Sequence, residues 1–307
     1  MFDRFWSVSM MYSKWCARAC LGLGVALCMS VPAVVALAEV PRQAAKTSTN
    51  AETVRLELDL KGAHRSPSNR SRDLYRHPAE TLRFFDVQPQ HTVVEIWPGG
   101  GWYTEILAPW LRDKGVYYAA GFALSTDQTP SWRKKYQLNF LKKLQAEPAV
   151  YDHVVVTELS VPERTTIAPP GTVDRVLTFR NVHNWVKDNN AEGMFRVFFR
   201  MLKPGGVLGV TEHRATPGTD LETMKKTGYV TEKYVVALAE QAGFQVLDRS
   251  EVNANSKDKK DYPDGVWSLP PTLRTCKKAV STEQKSCEAR YRAVGESDRM
   301  TIAFVKR

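Results

Sequence analysis

The stretch Thr92-Val93-Val94-Glu95-Ile96-Trp97-Pro98-Gly99-Gly100-Gly101-Trp102-Tyr103-Thr104 constrains the fold of this chain more than any other. An apolar strand runs into an acidic residue, a glycine cluster follows, and an apolar helix begins. Strand, glycine turn and helix in that order form the nucleotide-sized site of an open α/β sheet. Glycines let the backbone approach a ligand closely, and Glu95 can accept hydrogen bonds from ribose hydroxyls. A dinucleotide fingerprint is a poorer match. Thr104 stands where its third glycine belongs, and its acid lies about twenty residues further on, after the second strand.

The rest of the chain alternates strands with helices. The patterning predicts helices over 77–85, 102–112, 129–144, 192–202 and 231–242. It predicts strands over 92–97, 116–121, 152–157, 173–179, 207–211, 244–247 and 301–305. Alternation of this kind implies a largely parallel sheet with helices on both faces, its last two strands forming a hairpin-like pair. Residues 253–298 are long, polar and proline-rich for a simple connection, and are read as an insertion or lid. Residues 39–71, rich in Ala, Ser, Thr, Asn and Arg, are read as a flexible segment with little fixed structure.

The beginning of the chain reads as a targeting segment. Arg4, Lys14 and Arg18 precede an apolar run over 19–38 that ends in Ala36-Leu37-Ala38, a small-x-small cleavage pattern. Residues 1–38 are therefore expected to be a signal peptide, with the mature protein starting near Glu39 in the periplasm. An uncleaved anchor is the other reading, because the run is about long enough to span a bilayer. Removing the leader lowers the net charge of +10 to about +8. The remaining Lys and Arg are scattered rather than striped, which argues against a nucleic-acid partner. No stable membrane insertion is expected after cleavage, and the oligomeric state stays open. Three of the five cysteines leave with the leader. Two cysteines left in an exported protein, Cys276 and Cys287, suggest one disulfide closing a short loop.

In an open α/β sheet, ligands sit beyond the carboxyl ends of the strands. The candidates are Glu95, Trp97, Gly99 and Gly101 after the first strand, Gly121 and Phe122 after the second, and Glu158 and Leu159 after the third. The fourth is followed by Arg180, Asn181 and His183, the fifth by Glu212, His213 and Arg214. The first, fourth and fifth strands lying side by side would bring Glu95, Arg180, Asn181, His183 and Glu212 into one cleft, with His213 beside them. Such a group can provide a general base with an oriented acid. It also matches a two-histidine-plus-carboxylate metal site, although no metal is assigned here. His183, with Asn181 and Glu212, is taken as the catalytic group, and Trp267 in 265–271 as an apolar plate able to close over a ligand.

Acid first and glycines second resembles motif I of class I S-adenosylmethionine (SAM) methyltransferases, with Trp97 in the place of the first glycine. Further strings are Phe-Arg-Asn-Val-His-Asn-Trp at 179–185, Leu-Lys-Pro-Gly-Gly at 202–206, Gly-Val-Thr-Glu-His-Arg-Ala at 209–215, Gly-Val-Trp-Ser-Leu-Pro-Pro at 265–271 and Gly-Glu-Ser-Asp-Arg-Met at 295–300. Together they are similar to the exported methyltransferase-like proteins of Gram-negative bacteria, over about residues 72–307. The resemblance implies a Rossmann-like class I methyltransferase fold, a seven-stranded mostly parallel sheet with helices on both faces. It implies SAM as cofactor, with Glu95 on the ribose, Gly99 and Gly101 beside the methionine part, Glu158 on the adenine amine, and Trp97, Gly121 and Arg180 lining the same site. The expected activity is methyl transfer to a small or medium-sized molecule in the cell envelope. The alternative is a periplasmic binding or accessory protein that keeps the fold without the reaction.

Overall fold

The computed structural model describes residues 50–307, except residue 128. The expected leader and the first part of 39–71 lie outside the described residues. Seven strands form one sheet: β1 (Thr92–Ile96), β2 (Val116–Phe122), β3 (Val154–Leu159), β4 (Val173–Phe179), β5 (Leu202–His213), β6 (Phe244–Ser250) and β7 (Arg299–Lys306). Their order is β3-β2-β1-β4-β5-β7-β6. Neighbours pair in parallel from β3 to β5, whereas β7 runs antiparallel to both β5 and β6. The chain therefore has the class I methyltransferase-like sheet that its sequence predicts, and β1, β4 and β5 lie side by side.

The helices are α1 (Asn50–Lys61), α2 (Pro67–Arg70), α3 (Asp73–Arg76), α4 (Pro78–Phe84), α5 (Thr104–Leu111), α6 (Ser131–Ala146) and α7 (Pro148–Tyr151). They continue as α8 (Val182–Lys187), α9 (Ala191–Met201), α10 (Leu221–Thr227), α11 (Glu232–Gln241), α12 (Arg274–Lys277) and α13 (Ser281–Val294). None is long and apolar enough to cross a membrane. The central strands are apolar on both faces, as a sheet covered on both sides requires. Val94 and Ile96 of β1 join Trp185, Phe195, Phe198 and Leu238 in one core layer. Val93 of the same strand joins Leu82, Phe85, Ile106, Leu107 and Phe140 in the other. Alternate residues of one strand thus anchor opposite helix layers.

Two regions depart from expectation. The described end of 39–71 is folded, not loose: α1 packs Leu56 into the layer containing α5, with Leu60 beside it. Leu56 and Leu60 are one helical turn apart and so share a face. The surrounding Ala, Ser, Thr and Asn obscure that pair in a composition-based reading. Arg65 then seals the corner, fully buried, with Nη1 and Nη2 donating to the Asp73 carboxylate at 2.7 and 2.8 Å. The second departure is α8, which is not among the helices the patterning predicts. Val182, Trp185 and Val186 are spaced for one helical face, and all three are buried.

The expected insertion at 253–298 forms a lobe between β6 and β7. It contains a 3₁₀ turn (Gly265–Ser268), α12 and α13, with Leu269, Leu273, Cys276 and Tyr291 in a small core of their own. A Cys276–Cys287 disulfide ties the two helices together.

Candidate functional site at the carboxyl ends of the strands

The functional end of the sheet divides into two halves. Over β1, β2 and β3 lies a cavity of about 270 Å³ bounded by Trp97, Phe122, Arg133, Leu159, Val161 and Asp188, among others. Trp97 adopts φ +47°, in the left-handed region where a bulky residue is a true outlier. The Gly residue of the usual motif would occupy that conformation freely. The indole instead crosses β2 and donates from Nε1 to the Leu159 carbonyl at 3.2 Å. The Arg133 guanidinium lies 4.7 Å from its ring centre, and Phe122 packs beside it at 4.7 Å. Arg133 also pairs with Asp188 at 2.6 Å, joining α6 to the end of α8. Sequence reasoning missed Arg133, whose helix reads as a plain basic surface.

Gly99 and Gly101 both take positive φ, and the turn closes through Gly101 N–H donating to Pro98 O at 2.9 Å. Among the described residues, no atom lies within 4 Å of a Cβ added at Gly99 or Gly100, so the turn is open on its outer side. Gly121 carries no acid and abuts the Gln137 carboxamide, which accepts from the Phe122 N–H at 3.0 Å.

The two acids expected to touch a cofactor are committed elsewhere. Glu95 shares the sheet face of Val93, so its carboxylate points into the α5 layer. It accepts there from Tyr117 Oη and from Thr104 Oγ1. Burial pushes its carboxyl up to about 7, with the two hydroxyls and Lys143 only partly opposing the shift. Its alternation on the strand keeps it from the cavity and from the His183 group, contrary to the single cleft expected. Glu158 accepts from the Leu124 N–H at 2.8 Å and from Ser125 Oγ, closing the loop after β2. Burial alone would raise its carboxyl, but these hydrogen bonds outweigh that and hold it below its usual range.

Beyond β4 and β5 the end of the sheet is polar. Glu212 is fully buried on the α8 face of β5. Its Oε1 accepts from the His213 backbone N–H at 2.8 Å, and its Oε2 lies 3.3 Å from the His183 N–H. The oriented carboxylate meets His183 Nδ1 at 3.0 Å. An acid in that position makes Nδ1 the protonated nitrogen and leaves Nε2 as the basic one. Trp267 packs edge-on against the His183 ring at 5.9 Å, so the insertion does cover this residue. Asn181 is structural in its contacts: Nδ2 donates to Ile96 O at 2.8 Å and stitches β1 to β4. His213 lies 5.1 Å from His183 between ring centres, and its Nδ1 contacts Ser297 Oγ. Burial, then the charges of His183, Arg180, Arg299 and Arg76, hold His213 well below its usual range.

His183, Glu212 and His213 offer ligand atoms within 4.8 Å of one another, a spacing a metal ion would accept. Both Nδ1 atoms already have partners, and the arginines nearby oppose a divalent cation.

Those arginines form the last part of the site. Arg180, at φ +61°, turns its side chain from the end of β4 toward Glu296. Arg72, Arg76 and Arg299 point at the same carboxylate, which lies 2.6, 3.1 and 3.3 Å away. Sequence reasoning identified Arg180 but not the others, which arrive from the N-terminal helices and from the start of β7. The signal was present in Gly-Glu-Ser-Asp-Arg-Met at 295–300, a charged run leading directly into a fully buried strand.

A mostly parallel seven-stranded sheet with its seventh strand reversed between the fifth and sixth defines the class I methyltransferase fold. No protein-family model matches the chain, and none of the curated proteins does. Among solved structures the chain is similar to the cyclase SpnF, at 15% identity over 83% of this chain and 92% of that one, with a TM-score of 0.52. It is also similar to a SAM-dependent methyltransferase from Aquifex aeolicus, at 20% identity over 66% of this chain and 93% of that one, with a TM-score of 0.46. The likeness to the cyclase supports the fold already read from the sheet order, and the fold alone does not choose a reaction.

Proposed function

We propose that the protein is a SAM-dependent methyltransferase acting on a small molecule, with His183 as the base that deprotonates the acceptor. The observation that carries this reading is the open glycine turn beside a cavity at the carboxyl ends of β1 to β3, with the His183–Glu212 pair over the adjacent strands. A site that buries a whole small ligand usually measures about 300 Å³ or more. The cavity, at about 270 Å³, suits the nucleoside part, with the methionine part over Gly99 and Gly100 outside it. Phe122, Val161 and Leu159 supply apolar walls for a purine, and Asp188 and Asn190 supply polar atoms at the rim. The acid expected on the ribose, Glu95, faces the other layer and Gly121 supplies none; the carboxylates that do line the cavity are Glu163 and Asp188.

When bound, SAM supplies an electrophilic methyl group. Glu212 fixes the His183 ring so that Nε2 can take a proton from the acceptor, and Trp267 limits the access of water to that nitrogen. Export to the periplasm, as the leader implies, belongs to the same reading, and the disulfide is compatible with an oxidising compartment.

A specific observation favours a second reading, a binding protein without methyl transfer. The Trp97 indole lies across the strand ends where the usual motif has only a glycine, and its N–H is satisfied by the chain itself. Calorimetric titration of SAM decides between them. The first reading expects saturable binding that Gly100→Val abolishes without lowering the melting temperature, because the added side chain meets only open space. Absence of binding up to millimolar SAM overturns it.

A further inference from the structure

Four guanidinium groups surround one carboxylate beside His213. Arg72, Arg76, Arg180 and Arg299 share Glu296, and three members of the cluster, Arg76, Arg299 and Glu296, are almost completely buried. Charge of one sign is expensive to bury uncompensated. The Trp102 ring, 4.6 Å from the Arg76 guanidinium carbon, offsets part of that cost. The Tyr75 carbonyl accepts from Arg299 Nη2. A surplus of positive charge remains.

The surplus faces a gap. A small cavity of about 10 Å³ lies among Arg76, Tyr103, Phe179, Arg180, Thr211 and Arg299, with Asn253 at its side. That is room for about one water-sized atom. Arg76 Nη2 and Thr211 Oγ1 are buried without a hydrogen-bond partner among the described residues, and both residues line the gap. Each can donate. Arg180 keeps a quarter of its side chain exposed, which opens the cluster to solvent. The place in the fold also matters. Arg299 sits opposite His213 in the β5–β7 pair, so the two side chains share a face.

We propose that this arginine cage receives an oxyanion, one oxygen entering the gap between Arg76, Arg180 and Arg299, and that the acceptor is therefore an anionic small molecule. The acceptor role rests on the methyltransferase reading; the oxyanion site does not. Carboxylate and phosphate share the required chemistry: a delocalised negative charge and oxygens that accept the fork of a guanidinium. Of the uncharged residues lining the gap, Thr211 adds a donor, whereas the amide oxygen of Asn253 is an acceptor unpaired among the described residues; that oxygen and the Glu296 carboxylate are what an incoming anion must tolerate.

The test is isothermal titration of the purified protein, without SAM, using inorganic phosphate and succinate at ionic strength matched with potassium chloride. Saturable binding of at least one of them is expected, and whichever binds identifies the oxyanion. Arg180→Gln should weaken that binding at least tenfold, and Glu296→Gln should tighten it several-fold by removing the competing carboxylate. Arg180 is partly exposed and makes no side-chain hydrogen bond among the described residues, so its variant should fold, which circular dichroism will verify. Heats no different from the chloride control for both anions overturn the proposal. So does full-strength binding by folded Arg180→Gln, which would place the anion elsewhere on a basic surface. A protein that binds phosphate or succinate but not SAM keeps the cage and loses only the methyltransferase reading.

Discussion

The two halves of the strand-end surface are built on opposite principles. Over β1, β2 and β3 the chain fills space with its own aromatic groups: Trp97, Phe122 and the Arg133 guanidinium between them. Over β4, β5 and β7 it concentrates charge, four arginines around one carboxylate; buried polar atoms without partners among the described residues occur in both halves, Arg133 Nε and Asn190 Oδ1 in the first and Arg76 Nη2 and Thr211 Oγ1 in the second. Aromatic filling stabilises a region and narrows what can enter. Unmatched polar groups cost stability and are kept where something is to be bound. On the proposed reading, the first half holds the cofactor, and the charge gathered over the second recognises the acceptor while His183 takes its proton. The contrast also explains why Glu95 and Glu158, in the first half, serve the fold in their contacts.

Trp97→Ala is the most severe way to probe this division. Loss of a buried tryptophan in a packed layer costs about 3–5 kcal/mol, measurable by urea unfolding, and alanine keeps the Cβ that disfavours the left-handed φ here, so no backbone strain is relieved. If the ring is filling, the folded variant should bind SAM more tightly because the slot widens. A folded variant that loses SAM would make the ring part of the binding surface and erase the contrast between the halves.

Glu95→Gln tests the claim that this acid serves the fold. The folded-state pKa, about 7, lies above the reference value of 4.5. The protonated form is thus favoured in the folded protein. Its contribution is fully present below pH 4.5 and is lost as pH rises through 7. At pH 8 the buried charge should cost on the order of 3 kcal/mol, so Glu95→Gln should gain up to that amount there and almost nothing at pH 4.5. Urea unfolding at the two pH values checks this. An equal difference at both, or a marked loss of SAM affinity, returns Glu95 to the binding site.

The smallest effect belongs to the lobe that carries Trp267. Replacing Cys276 and Cys287 by serine should cost at most about 3 kcal/mol on the loop-entropy model, since only eleven residues separate them. Thiol labelling of the unreduced, denatured protein should find neither of these cysteines free. Two reactive thiols from that lobe would leave the Trp267 cover held by packing alone.

Much of the fold was legible because its signals are local. The period-two and 3.6 patterns and the glycine turn set β1, β4 and α5 within a few residues, and the adjacency of the first, fourth and fifth strands was what the methyltransferase resemblance implied. The His183–Glu212 contact was legible for a related reason: Glu212 lies at the carboxyl end of β5, and His183 in the helix that follows the adjacent β4. What stayed hidden depends on which way a side chain points or on contacts across long separations. Glu95 lies where motif I places its acid, but its position on the strand turns it to the other face. Glu296 gathers Arg72 and Arg76 from more than two hundred residues away, and no spacing in the sequence encodes that meeting.

The lobe between β6 and β7 has a consequence for how such a protein can change over time. Its ends are clamped by two antiparallel strands whose pairing runs to the edge of the sheet. It supplies both the ring against His183 and, at its far end, the carboxylate that gathers the arginines. The sheet imposes few demands on what lies between those ends. A lineage can therefore rewrite this one stretch, altering what lies against His183 and the arginines, while the β1 turn and the His183–Glu212 pair are inherited intact.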